Sequence, residues 1–132
     1  MPQTDGPMAR KMQADMAVEM TAARLRQLLQ EAVALLDPFP PFPGSFFTLA
    51  IEVEGGTASG PDHGCIVLAP DGELHELEVS VSFSPGDSDP VSARNEVLKP
   101  LDLHPRDYVV YAYNALTRVT ELLMEQQSGE SA

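Results

Sequence analysis

The sequence has one cysteine, no tryptophan and, from Gln27 to Ala93, neither lysine nor arginine. A lone Cys65 excludes an intrachain disulfide, and without a second cysteine no paired thiolate ligands exist for a closed zinc site. The chain also lacks any apolar run near the roughly 18 residues that span a bilayer, so it has no transmembrane candidate. Met1–Asp5 shows neither the basic nor the apolar region of a secretory signal, and a cytoplasmic location is the expectation.

The missing cations matter most. The stretch without them holds eleven acids, Glu31, Asp37, Glu52, Glu54, Asp62, Asp71, Glu73, Glu76, Glu78, Asp87 and Asp89, and the 132-residue chain carries a formal charge of −12. Such a field repels nucleic-acid phosphates and anionic lipid, so neither direct nucleic-acid binding nor membrane binding is expected, while a basic protein partner is favoured. A solvated surface that keeps the protein soluble explains the same charge.

What is present begins with a hairpin. Cys65–Ala69 is apolar and rich in β-branched residues, and Pro70-Asp71-Gly72 reads as a tight reversal. The return strand alternates, with His75, Leu77, Val79, Val81 and Phe83 on one side and Glu76, Glu78, Ser80 and Ser82 on the other. Ser45–Glu54 alternates likewise, Phe47, Leu49, Ile51 and Val53 against Phe46, Thr48, Ala50, Glu52 and Glu54.

Helical periodicity brackets these strands. Val18, Ala22, Leu25, Leu29, Ala32 and Leu36 step by four and three through good helix formers, predicting a helix over Asp15–Leu36 that Asp37-Pro38 ends. Upstream, Met8, Met12, Met16 and Met20 recur every four residues. That step drifts about 40° per repeat around a helix, so the methionines either fill core gaps or form an adaptable docking surface. Phe39–Gly44 is read as a polyproline strap across the core edge, since its Pro-x-x-Pro spacing lacks flanking cations. Asp89 and Pro90 suit the cap and first turn of a short helix ending near Lys99-Pro100. Pro105 opens a last helix with a seam of Val109, Ala112, Leu116, Val119 and Leu123, widened by Tyr108, Ala115 and Leu122.

The expectation is therefore one α+β domain over 8–127, with a disordered leader at 1–7 and a disordered tail at 128–132. Its architecture would be a two-layer sandwich, a three-stranded antiparallel meander with both long helices on one face, in the order α-β-β-β-short α-α. The odd-numbered face would carry the helices. On the other, Phe46 and Ala50 would form an apolar patch rimmed by Glu52, Glu54, Glu76 and Glu78, an association surface that a homodimer would use unless it pairs by a sheet edge.

Catalytic signatures are weak. Gly55 and Gly60 have phosphate-loop spacing, but Pro61 and Asp62 stand where lysine and a hydroxyl residue belong. His63, Cys65 and His75 could meet across the hairpin as a metal or nucleophile site, though strand parity and nearby carboxylates oppose it. Asp102 and His104 read as caps of the last helix. No cofactor, metal or catalytic residue is assigned.

Three functions follow. The first is a small acidic interaction module of adaptor, assembly-chaperone or inhibitor type, with Phe46, Ala50, Glu52, Glu54, Glu76, Glu78, Met8, Met12 and Met16 as its surface, binding rather than catalysing. In size, acidity and helix-strand-helix layout the chain resembles the small chaperones of bacterial secretion systems, a likeness of composition from which no family follows. The second is an acidic mimic that blocks a basic nucleic-acid-binding protein. The third is a small-ligand or metal-binding protein or enzyme centred on His63, Cys65 and His75.

Overall fold

A three-residue loop sets the frame of the sheet. The computed structural model describes residues 6–45, 47–54, 65–81 and 94–130. Strands β2 (Cys65–Leu68) and β3 (Leu74–Val81) pair antiparallel, Leu68 with Leu74 and Cys65 with Leu77. Between them Gly72 N–H donates to the Ala69 carbonyl at 2.9 Å and Ala69 N–H to the Glu73 carbonyl at 3.1 Å. Pro70 supplies the fixed φ of the first turn position, and Gly72 takes the left-handed one at φ 77°. Asp71 Oδ1 accepts from Glu73 N–H at 2.8 Å and braces the reversal.

The sheet has four strands, not three. β1 (Ile51–Glu52) pairs antiparallel with β2, and β4 (Arg94–Pro100) with β3, giving the meander β1-β2-β3-β4. β4 corrects the expected short helix, whose described part, 94–100, is extended. Helix propensity there is worth only tenths of a kcal/mol per residue. Pairing with the long β3 supplies a seven-residue ladder and cross-strand partners such as Glu78 and Lys99, 2.8 Å apart. Asp89 and Pro90, the expected cap, lie outside the described residues.

β1 is shorter than its alternation implied. Upstream, Phe42 N–H donates to the Thr48 carbonyl at 2.9 Å, Pro41 bridges Leu49, and Ser45 Oγ donates to the Phe42 and Thr48 carbonyls at 2.9 and 3.0 Å. The strap and the start of the expected strand thus close into a small loop, which turns Phe47 and Leu49 outward.

The face carrying the helices also differs from expectation. Ladder partners share a face, so Ile51, Leu68 and Leu74 lie together, with Ile66 and Val53 beside them. These residues, odd on β1 but even on β2 and β3, form the main core with Leu29, Val33 and Leu36 of helix α1 (Pro7–Val33) and Tyr111, Ala112, Ala115 and Val119 of helix α2 (Pro105–Glu130). On β3 it is therefore Leu74, not the odd row of His75, Leu77 and Val79, that meets the helices. The opposite face carries a smaller core of Ala50, Val67 and Leu77, on which Phe42, Cys65 and Leu98 pack. Phe39 joins the main core and Phe42 the smaller one, so the strap's two phenylalanines anchor it on opposite sides of the sheet.

α1 begins with Pro7 in its first turn and ends at Val33, three residues before the expected end, with Leu36 still buried. α2 is capped by His104, whose Nδ1 accepts from Arg106 N–H at 3.1 Å, and reaches Glu130, beyond the expected tail boundary. Gln126 near the end of α2 bonds Asp37 N–H and the Pro38 carbonyl, while the start of α2 lies by Ala22 and Ala23, so the helices run in the same direction. No described helix is long and apolar enough to cross a membrane.

Candidate functional site

β1 leaves one edge open. Val53 N–H donates to the Ile66 carbonyl at 2.9 Å, so Ile51 and Val53 direct their backbone groups to β2 and the intervening Glu52 directs its N–H and C=O outward. Among the described residues no strand pairs with that side. The strap passes nearest, but Pro40, Pro41 and Pro43 have no N–H to donate, so it walls the edge without completing a ladder.

The space beside this edge is a groove of about 560 Å³, a volume typical of sites for small ligands or short segments. Its floor is Ala50, Ile51, Glu52 and Glu54; one wall is the proline strap and the other is α2, through Asn114, Thr117, Arg118 and Glu121. Asn114 Nδ2 donates to the Glu54 carbonyl at 2.8 Å and ties that wall to the floor. Three carboxylates, Glu52, Glu54 and Glu121, face a single guanidinium, Arg118, which is itself paired with Glu121 at 2.9 Å. The groove is thus electronegative, and its floor presents the outward N–H and C=O of Glu52, which no described strand pairs.

The residues expected to form one association surface are distributed over four places. Glu52 and Glu54 are exposed along the groove, whereas the Ala50 side chain is buried in the smaller core. Glu76 and Glu78 lie on the opposite, helix-bearing face, where Ile66 pairs with Glu76 and Lys99 binds Glu78. Lys99 holds the Glu78 carboxyl below its usual range. Met8, Met12 and Met16 are on α1, 71%, 59% and 59% exposed, and Met20 is 70% exposed. Phe46 lies outside the described residues.

Of the residues considered for chemistry, Cys65 and His75 share the sheet face of the smaller core, opposite Leu77 and Val67 respectively. His75 Nε2 lies 3.1 Å from Asp71 Oδ2. Burial, and then Glu52 beside it, push the Cys65 thiol up, the opposite of activation. Gly55, Gly60, Asp62 and His63 fall outside the described residues, and among those described no cluster of three metal-ligating side chains occurs.

A second cavity, about 490 Å³, lies where α1 passes the β2–β3 loop and the start of α2, lined among others by Arg26, Glu73, Asp102 and Tyr108. Glu73 Oε1 accepts from Arg26 Nε at 2.7 Å and from Gln30 Nε2 at 2.8 Å, so these polar groups are spent holding the loop to the helix.

The sequence reading missed the α2 wall. Asn114, Thr117, Arg118 and Glu121 follow i, i+3, i+4, i+7, a polar stripe that by itself reads as a solvated face. Only the placement of β1 beside it makes a groove. The chain matches no protein-family model, no curated protein and no solved structure.

Proposed function

We propose that the protein is a small acidic interaction module that binds a partner protein rather than catalysing a reaction, and that the β1 groove receives an extended, basic segment of that partner. The observation that carries this reading is the outward backbone of Glu52, which among the described residues has no strand partner, at the floor of an acidic groove. A strand added there would exchange main-chain hydrogen bonds with β1 for affinity, and lysine or arginine at alternate positions would meet Glu52 and Glu54 for selectivity.

The test uses two fluorescent peptides, a capped Lys-Val-Lys-Val-Lys and the same sequence N-methylated at alternate backbone nitrogens. The first is expected to bind with an affinity that weakens as salt rises, and to lose at least ~10-fold in affinity when Glu52 and Glu54 become lysine. N-methylation is expected to abolish binding, because it removes the donors a ladder needs. Equal binding of both peptides would mean charge attraction alone and would refute strand addition at β1. Binding of neither would remove the groove as the site.

A further inference from the structure

We propose that the N-terminal arm of α1 is the surface on which a second copy of this chain docks, antiparallel, through the ridge of Met8, Met12, Met16 and Met20. This inference uses a different surface from the groove, so either can fail alone.

Among the described residues the arm packs against no other element. α1 enters the core only from Leu25 onward, and α2 begins beside Ala22 and Ala23. The fifteen residues Pro7–Thr21 thus project past the start of α2, about 22 Å of helix at 1.5 Å per residue. Four large apolar side chains stand on it, all exposed by more than half. They are not surplus core residues. Met20 precedes Leu29 by nine positions and so lies about 180° around the helix from the core seam.

Three features of the arm select a second copy of itself as the occupant. First is symmetry. The positions 8, 12, 16 and 20 read the same in both directions about the level of Ala14, so an antiparallel copy sets Met12 against Met16 and Met8 against Met20. Self-complementarity of this kind is what a two-fold interface requires.

Second is charge. From Gly6 to Thr21 there are two bases, Arg10 and Lys11, and two acids, Asp15 and Glu19, so the arm is neutral on a chain of charge −12. It is where two copies can approach without adding carboxylate to carboxylate. The row flanking the ridge places Lys11 at one end and Asp15 and Glu19 at the other. Lys11 pairs with Asp15 of its own helix, and an antiparallel copy brings that cation toward the second copy's Glu19 as well, whereas a parallel one would bring like charges together.

Third is shape. A row of residues four apart is a ridge, and the row on its other side, Ala9, Gln13, Ala17 and Thr21, has small or uncharged side chains that leave a groove. Ridge-into-groove packing of two such surfaces crosses the helices at about −50°, which concentrates the contact on Met12 and Met16, where flexible thioethers fill the crossing.

Sedimentation of the full chain from about 1 to about 200 µM tests this by mass action. The weight-average mass is expected to climb from the monomer's 14.3 kDa toward twice that value. Met12→Glu with Met16→Glu should raise the dissociation constant at least ~10-fold while leaving the thermal midpoint of the diluted monomer unchanged, since neither residue touches the core. Lys11→Glu and the pair Asp15→Lys, Glu19→Lys should each weaken self-association, and mixing those two variants should restore a mixed dimer. A mass of 14.3 kDa at every concentration would overturn the proposal. So would a dimer that survives both methionine substitutions but is dispersed by Glu52→Lys, which would place the interface at the sheet edge.

Discussion

Replacing Gly72 with alanine tests how the hairpin is seated on α1. Two separate penalties meet at this position. Its φ of 77° is left-handed, which costs an L-residue about 1 kcal/mol relative to glycine. A β-carbon there would also stand 2.8 Å from Gln30 Cγ and 2.9 Å from Gln30 Cα. The side-chain atom can swing away, but the Cα cannot move without the helix. The loop must therefore lift off α1, straining the bonds that Arg26 and Gln30 make to Glu73. Overpacking of this kind costs ~1–3 kcal/mol, so the total is about 2–4 kcal/mol, a loss on the order of 10 °C in thermal midpoint for a domain of this size. Gly44 is the control. Its φ is 84°, yet nothing lies within 4 Å of its would-be β-carbon, so Gly44→Ala should show the backbone penalty alone, about 1 kcal/mol. Urea unfolding followed by far-UV circular dichroism reads both. Equal losses in the two variants would refute the claim that the loop is packed against helix backbone.

Further substitutions probe the core and the titrating groups. Leu29, fully buried where α1 crosses the sheet, should lose about 2–5 kcal/mol on truncation to alanine in the same urea assay. Tyr111 is buried in the main core with a hydroxyl that has no hydrogen-bond partner among the described residues, so Tyr111→Phe should be neutral or stabilising by up to ~1 kcal/mol. Burial, then the Glu73 carboxylate, push Tyr108 from 10.0 to about 12. The folded chain thus keeps a proton that the unfolded chain releases, and stability should fall as pH climbs between those values. Tyr108→Phe should flatten that fall and remove the step near 12 from the phenolate absorbance titration. Cys65, raised by burial and by Glu52, should alkylate slowly at neutral pH, and Glu52→Gln should move the onset of labelling to lower pH.

Legibility followed the range of the interaction. The Pro70-Gly72 reversal, Pro105 at the start of the last helix and the His104 cap are set within a few residues, and each stands where the sequence placed it, whereas Pro7, read as part of the leader, opens α1 eight residues before the expected start. The apolar seams were legible for the same reason. Leu25, Leu29, Ala32 and Leu36, and likewise Ala112, Val119 and their flanks, recur at the helical period and belong to the main core. β4 was not legible. Its pattern of Arg94, Asn95, Glu96 and Lys99 is polar and helix-tolerant, and only the ladder onto β3 makes it a strand.

An α+β chain with an acidic middle, a hairpin reversing at Pro70-Gly72 and a periodic helix on either side is legible in the residues, because those features depend on local spacing and charge. Which side of each strand is inside depends on packing between distant segments. Alternation separates two faces but does not rank them when both are apolar, as with Leu74 on one side of β3 and Leu77 on the other. A three-residue loop pairs Leu68 with Leu74, and β1 pairs Ile51 with Leu68, so the inner row changes from odd to even between β1 and β2. The groove depends on the same placement. Arg118 is far in sequence from Glu52 and the prolines, and packing α2 beside the open edge of β1 is what brings them together.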